Sequence, residues 1–164
     1  MSQHTENSSY REKLIEHLFV GELLKISWQH HGCSLEVAKP EVDNSGCDLI
    51  AEVKGLVRHI QLKTSIIGGK TTNQKVHTKL AEKPNGSVVW IYFNENTLHL
   101  GPFFYFEVDA GSLGGRKLAK QTKGNKDGVK AERRNLRVVP KGSFTKFESI
   151  EDIYARLFAV AYPR

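Results

Sequence analysis

The sequence predicts a mixed α/β domain with a central sheet, and three observations predict it. A long helix-period segment opens the chain, a series of short β-rich segments follows, and a second helix-period segment closes it. The length of 164 residues suits one domain, residues 10–164, behind a disordered polar terminus at 1–9. With 39% hydrophobic and 26% charged residues, the chain is neither a linker nor a solvated tail.

The first helix reads as YREKLIEHLFVGELLKISWQHHG, stopped by Gly32. At about 100° per residue, Ile15, Leu18, Phe19, Glu22, Leu23 and Ile26 share one arc, and Glu22 falls near its centre. A carboxylate there is costly unless it meets a cation. Three strands follow, SLEVAKPEV, CDLIAEV and LVRHIQLKTSII, separated by DNSG and by a Lys54-Gly55 turn that makes the last two a hairpin. TTNQKVHTKLAEKP reads as a weak helix, VVWIYF as a buried strand, and TLHLGPFFYFEV as two strand pieces broken at Gly101-Pro102. The Gly- and Lys-rich stretch 111–135 reads as a loop, LRVVP as a short strand, and FESIEDIYARLFAVAY as the closing helix.

The net charge of +6 is concentrated in one place. Arg116 to Arg137 hold nine basic and two acidic residues, net +7, while the other 142 residues hold 15 and 16, net −1. Lys120, Lys123, Lys126, Lys130, Arg133 and Arg134 in this stretch, with Lys70 after the third strand, are the expected polyanion contacts. No apolar run reaches the ~20 residues of a membrane span, and the polar start lacks a signal segment. The expected setting is the cytoplasm, without a membrane, with Cys33 and Cys47 as reduced thiols.

The segment CDLIAEVKGLVRHIQLKTS carries the candidate chemistry. Gln61 and Lys63 lie two apart on one strand and share a face, and Asp48 opens the neighbouring hairpin strand beside them. An acid, an amide oxygen and an ammonium at one place suit phosphodiester hydrolysis assisted by a divalent cation: hard oxygens for the ion and a cation to orient water and offset phosphate charge. The pattern of acid or amide, any residue, lysine is weak alone, and it also occurs at Glu52-Val53-Lys54 and Gln121-Thr122-Lys123. The last copy lies in the basic loop. An alternative register of Asp43, Glu52 and Lys54 places its lysine at a Lys-Gly turn, where the side chain is poorly fixed, so the Asp48, Gln61 and Lys63 register is preferred.

Glu22, Asp48, Gln61 and Lys63 together resemble the PD-(D/E)XK nuclease superfamily, which includes restriction endonucleases and Holliday-junction resolvases. The match covers roughly residues 11–65, as a Gln-x-Lys variant with Cys47 where the family often has proline. The resemblance implies a restriction-endonuclease-like core, a central mixed sheet flanked by helices. It implies an endodeoxyribonuclease using Mg²⁺ or Mn²⁺ on DNA, leaving a 5′-phosphate and a 3′-hydroxyl. Asp48, Gln61 and the Leu62 carbonyl would hold the ion, with Glu22 binding it directly or through water or binding a second ion, and Lys63 would orient and help deprotonate the attacking water. Many relatives are homodimers. The alternatives are a non-catalytic nucleic-acid-binding protein with a degenerate nuclease fold, and a protein-interaction domain.

Overall fold

The computed structural model describes residues 7–160. Helix α1 spans Ser8–His30, and its buried side chains are Ile15, Glu16, Phe19, Leu23, Ile26 and Ser27. Strands β1 (Leu35–Ala38), β2 (Leu49–Val53) and β3 (Leu56–Ile66) follow, each antiparallel to the last. The β2–β3 turn has positive φ at Lys54 (50°) and Gly55 (86°), as a tight two-residue hairpin turn requires. Strand β5 (Gly86–Phe93) lies parallel to β3, and β6 (Leu100–Val108) and β9 (Thr145–Phe147) extend the sheet beyond it. The order β1-β2-β3-β5-β6-β9 makes a six-stranded mixed sheet, and with α1 and α2 (Ile150–Phe158) the fold is mixed α/β, as expected.

Both faces of this sheet are covered. Ile15, Phe19 and Leu23 of α1 and Ile153, Tyr154 and Leu157 of α2 pack against Ile60, Val89, Ile91 and Phe103 on one face. On the other, Trp90, Tyr92, Phe104 and Phe106 join Val76, Leu80 and Val139. Burial on both sides explains why every residue of β5 is buried and why its sequence is an unbroken apolar run.

The second face is covered by a three-stranded antiparallel sheet, β4 (Asn73–His77), β8 (Glu132–Pro140) and β7 (Leu118–Lys120), in the order β4-β8-β7. Here the structure differs from the expectations. Residues 73–77 form a strand because the partner β8 supplies a ladder that outweighs weak helical preference, leaving only a 3₁₀ turn at Thr78–Glu82. The stretch 111–135 is likewise not all loop: β7 and the start of β8 pair within it. Strand β6 runs unbroken through Gly101-Pro102, where a register shift against β5 between Ile91 and Phe93 accommodates the proline. Of the expected disordered terminus, residues 1–6 lie outside the described residues, and α1 already includes Ser8 and Ser9.

Strand β3 positions the candidate site. Its first half, Leu56–Ile60, pairs with β2, and His59–Ile66 pair with β5. Because β2 begins at Leu49, opposite Ile60, residues from Gln61 onward have no strand on that side. Asp48, one residue before β2, donates its N–H to the Ile60 carbonyl at 2.8 Å as the last rung, which carries its side chain into the space that opens there.

Candidate functional site

A cleft of about 560 Å³ occupies that opening, with Asp43, Asp48, Gln61, Leu62 and Lys63 on the sheet side and Glu12 and Glu16 on the α1 side. Asp48 Oδ2 accepts the Leu62 N–H at 2.7 Å. In a strand the N–H and C=O of one residue point the same way, so the Leu62 carbonyl also faces the side that β2 vacates, next to the Asp48 carboxylate. Gln61, 6% exposed, accepts the His77 N–H on Oε1 at 3.4 Å. Gly46 closes over it. With φ at 70°, and with a Cβ that would lie 2.5 Å from His77 Cβ and 2.8 Å from Gln61 Nε2, that position admits only glycine. The Asp43 carboxylate holds the same turn by accepting the Gly46 N–H at 2.8 Å.

Burial of the charged groups dominates the electrostatics of the site. Burial pushes the Asp48 carboxyl up to about 6, against the Leu62 N–H and the Lys63 charge and with the help of Asp43 and Glu16. Burial also holds the Lys63 ammonium below its ordinary range, although Asp48, Glu12 and Asp43 oppose this. Glu16 behaves differently. Burial disfavours its charge, but hydrogen bonds and attraction from Lys39 and Lys13 outweigh that and keep the carboxyl below its usual value. Its oxygens accept from Lys39 Nζ and, at 3.1 Å, from Lys13 Nζ.

Asp48, Gln61, Leu62 and Lys63 therefore line one cleft. Glu22 does not. It pairs with Lys25 at 3.1 Å on the half-exposed flank of α1 and lies outside the cleft lining. The buried arc of α1 is rotated toward Glu16 and Ser27 and away from Leu18, so Glu16, 6% exposed, is the buried helix acid. Leu18 is only half-buried, and without it the centre of the arc moves off Glu22. Asp43, considered only for the rival register, lines the cleft too, but Glu52 and Lys54 do not, and Lys54 is exposed at the hairpin turn.

The basic residues lie elsewhere. Residues 120–135, with Lys120, Lys123, Lys126, Lys130, Arg133 and Arg134, are exposed throughout and form an extended ribbon. Arg133 and Arg134 sit on β8 and Lys120 ends β7. The ribbon connects to the cleft through β4, which pairs with β8 and contributes Gln74 to the lining. Lys70 is exposed in the turn after β3.

The donor chemistry at the open end of β3 fits a hard divalent cation: a buried carboxylate, an adjacent main-chain carbonyl and an amide oxygen. Among the described residues, no three His, Cys, Asp or Glu side chains group closely enough to hold a metal by themselves, so main-chain and amide oxygens would have to complete the set. Among the described residues no helix is long and apolar enough to cross a membrane.

No protein-family model matches the chain, and no curated protein matches it. Among solved structures it is similar to a bacterial homing endonuclease, I-Ssp6803I, at 21% identity and a TM-score of 0.37, over 72% of this chain and 82% of that one.

Proposed function

We propose that the protein is a metal-dependent DNA endonuclease whose active site is the cleft at the open end of β3. The observation that carries this reading is the convergence of Asp48, the Leu62 carbonyl, Gln61 and Lys63 where β2 stops and leaves β3 uncovered. Asp48, Gln61 and the Leu62 carbonyl would hold Mg²⁺ or Mn²⁺. Such an ion, when bound, supplies Lewis acidity and charge for a phosphodiester. Its attraction would also reverse the cost of ionising Asp48.

The chain's own residues then have distinct tasks. Lys63, where burial favours the neutral amine more than in an exposed lysine, would orient the attacking water and, in that neutral form, take up its proton. Glu16 pairs with Lys39 and with Lys13, and Lys13, which lines the cleft, would offset phosphate charge. Gly46 and Asp43 hold the turn that keeps Gln61 and Asp48 in place. The exposed ribbon touches the DNA backbone and supplies affinity without reading sequence.

The exposed basic ribbon, which lies outside the cleft, favours a second reading, a nucleic-acid-binding protein without catalysis. One assay separates the two. Purified protein with Mg²⁺ or Mn²⁺ should nick supercoiled or branched DNA, and Asp48→Ala and Lys63→Ala should each abolish nicking while DNA binding persists. Binding without cleavage of any DNA form in either metal would establish the second reading instead.

A further inference from the structure

Residues 120–134 are all exposed and hold six basic side chains against Asp127 and Glu132. Their backbone is not that of a loose tether. Beyond the last rungs between β7 and β8, the Gln121 N–H donates to the Ala131 carbonyl and the Asn125 N–H to the Val129 carbonyl, each at 2.8 Å, so the two strands run together to the tip. The tip is a tight turn from Asn125 to Gly128. There the Gly128 N–H donates to the Asn125 carbonyl at 3.0 Å, and Asn125 Oδ1 accepts the N–H groups of Asp127 and Val129 at 3.0 and 2.9 Å.

Two glycines fix this shape. Gly128 has a φ of 76°, and a Cβ on Gly124 would lie 2.7 Å from the Gly128 carbonyl, so a side chain at either position distorts the tip. The base is fixed as well: Lys75 Nζ donates to the Lys120 carbonyl at 3.4 Å, and β8 pairs with β4, which lines the cleft through Gln74. The chain therefore holds out a shaped basic hairpin whose base adjoins the cleft.

We infer that this hairpin seats in the major groove of B-form duplex DNA and so makes the duplex, rather than a single strand or an RNA helix, the form presented to the cleft. The dimensions agree. From Lys120 to Asn125 the hairpin extends about 17 Å, and the major groove, about 12 Å wide and about 8.5 Å deep, admits a two-stranded ribbon, whereas the minor groove, about 6 Å wide, does not. The charges agree too. Both walls of the groove are phosphate backbones, so an occupant needs cations on both of its edges: Lys120 and Lys123 stand on the outgoing strand, Lys130, Arg133 and Arg134 on the returning one, and Lys126 at the tip. The major groove of A-form RNA is too narrow for such an insertion, and a single strand has no groove. No base contact is required. The inference rests on the proposed function for its choice of DNA as the polyanion, but not on catalysis.

Binding of the full chain in chelating buffer, where no metal-dependent cleavage intervenes, tests it with a DNA duplex, its separated strand and the RNA duplex of the same sequence. At equal salt the DNA duplex should bind at least about tenfold more tightly than either of the others. Dimethyl sulfate footprinting then reads the groove: guanine N7, which faces the major groove, should be protected, and adenine N3, which faces the minor groove, should stay reactive. Gly124→Val and Gly128→Val keep every charge and should leave Tm nearly unchanged because both positions are exposed, yet each should weaken duplex binding by about tenfold. Equal affinity for the three nucleic acids, protection of adenine N3 without guanine N7, or glycine variants that both bind the duplex as wild type does would overturn the inference and make the stretch a general polycation. Nicking activity separates the two claims: DNA that is nicked despite such results leaves the proposed function standing, and the expected binding results without nicking leave only the groove contact.

Discussion

Replacing Asp48 with asparagine should stabilise the metal-free protein, although it removes the residue on which the proposed chemistry depends. Asp48 ionises at about 6 in the folded chain against an ordinary value of 3.8, chiefly because burial strips its carboxylate of water. The gap of about 2.2 between these values, at about 1.36 kcal/mol for each, sets a ceiling of about 3 kcal/mol on the cost of keeping this group charged. The sign follows from linkage: the folded state holds the proton more tightly, so the cost is absent below the unfolded value of 3.8, grows as pH rises toward about 6, and is constant above that. The attraction of Lys63 is already contained in that ceiling, and the asparagine side chain would retain an oxygen to accept the Leu62 N–H, but burying its NH2 group would offset part of the gain. The expected net gain at pH 7.5 is therefore about 1–2 kcal/mol, or about 2–8 °C in Tm for a chain of this size. Melts in chelating buffer at pH 4 and at pH 7.5 measure it, with the advantage of the variant small at the lower pH and full at the higher. Saturating Mg²⁺ should then stabilise wild type and leave Asp48→Asn unmoved. A variant less stable than wild type at pH 7.5, or an advantage that does not change between the two pH values, would refute this account of the site's electrostatics.

The helix acids should separate cleanly. Glu22→Ala, an exposed pair with Lys25, should change stability by less than about 0.5 kcal/mol and leave nicking intact, whereas Glu16→Ala should lower stability by at least about 1 kcal/mol and reduce nicking, as measured by denaturant unfolding and plasmid relaxation. Gly46→Ala should destabilise by about 1–3 kcal/mol, because its φ is positive and its Cβ would collide with His77; nicking should fall with it as Gln61 is displaced. Neutralising Lys120, Lys123 and Lys126 together should flatten the dependence of log affinity on log salt by about 2–3, near 0.9 for each phosphate that is no longer neutralised, with little change in Tm because residues 120–135 are exposed throughout.

The part of the site written on one strand was legible in the sequence. Gln61 and Lys63 share a face because strand side chains alternate, and Asp48 reaches them because the Lys54-Gly55 turn sets the hairpin register. The helix acid was not legible. Its identity depends on which arc of α1 packs on the sheet, and a helix with Tyr10, Leu24 and Trp28 on its outer face carries further apolar side chains that blur the rotation. The signal that could have found it is Glu16's own place in the chain, beside Ile15 and three residues before Phe19. Strand β4 and the pairing of β7 with β8 were hidden for another reason. They are polar, and partners distant in sequence hold them in strands: Asn73 opposite Pro140, His77 opposite Leu136. The charge asymmetry was legible, but not its shape as a ribbon linked through β4 to the cleft.

The most direct test of the proposed metal site is anomalous diffraction from crystals soaked in Mn²⁺. The expected result is a peak in the cleft within bonding distance of the Asp48 carboxylate and the Leu62 carbonyl, and its disappearance in Asp48→Asn crystals. Crystals without a peak in the cleft, or a peak that survives that substitution, would contradict the assignment of Asp48 as the residue that holds the catalytic ion.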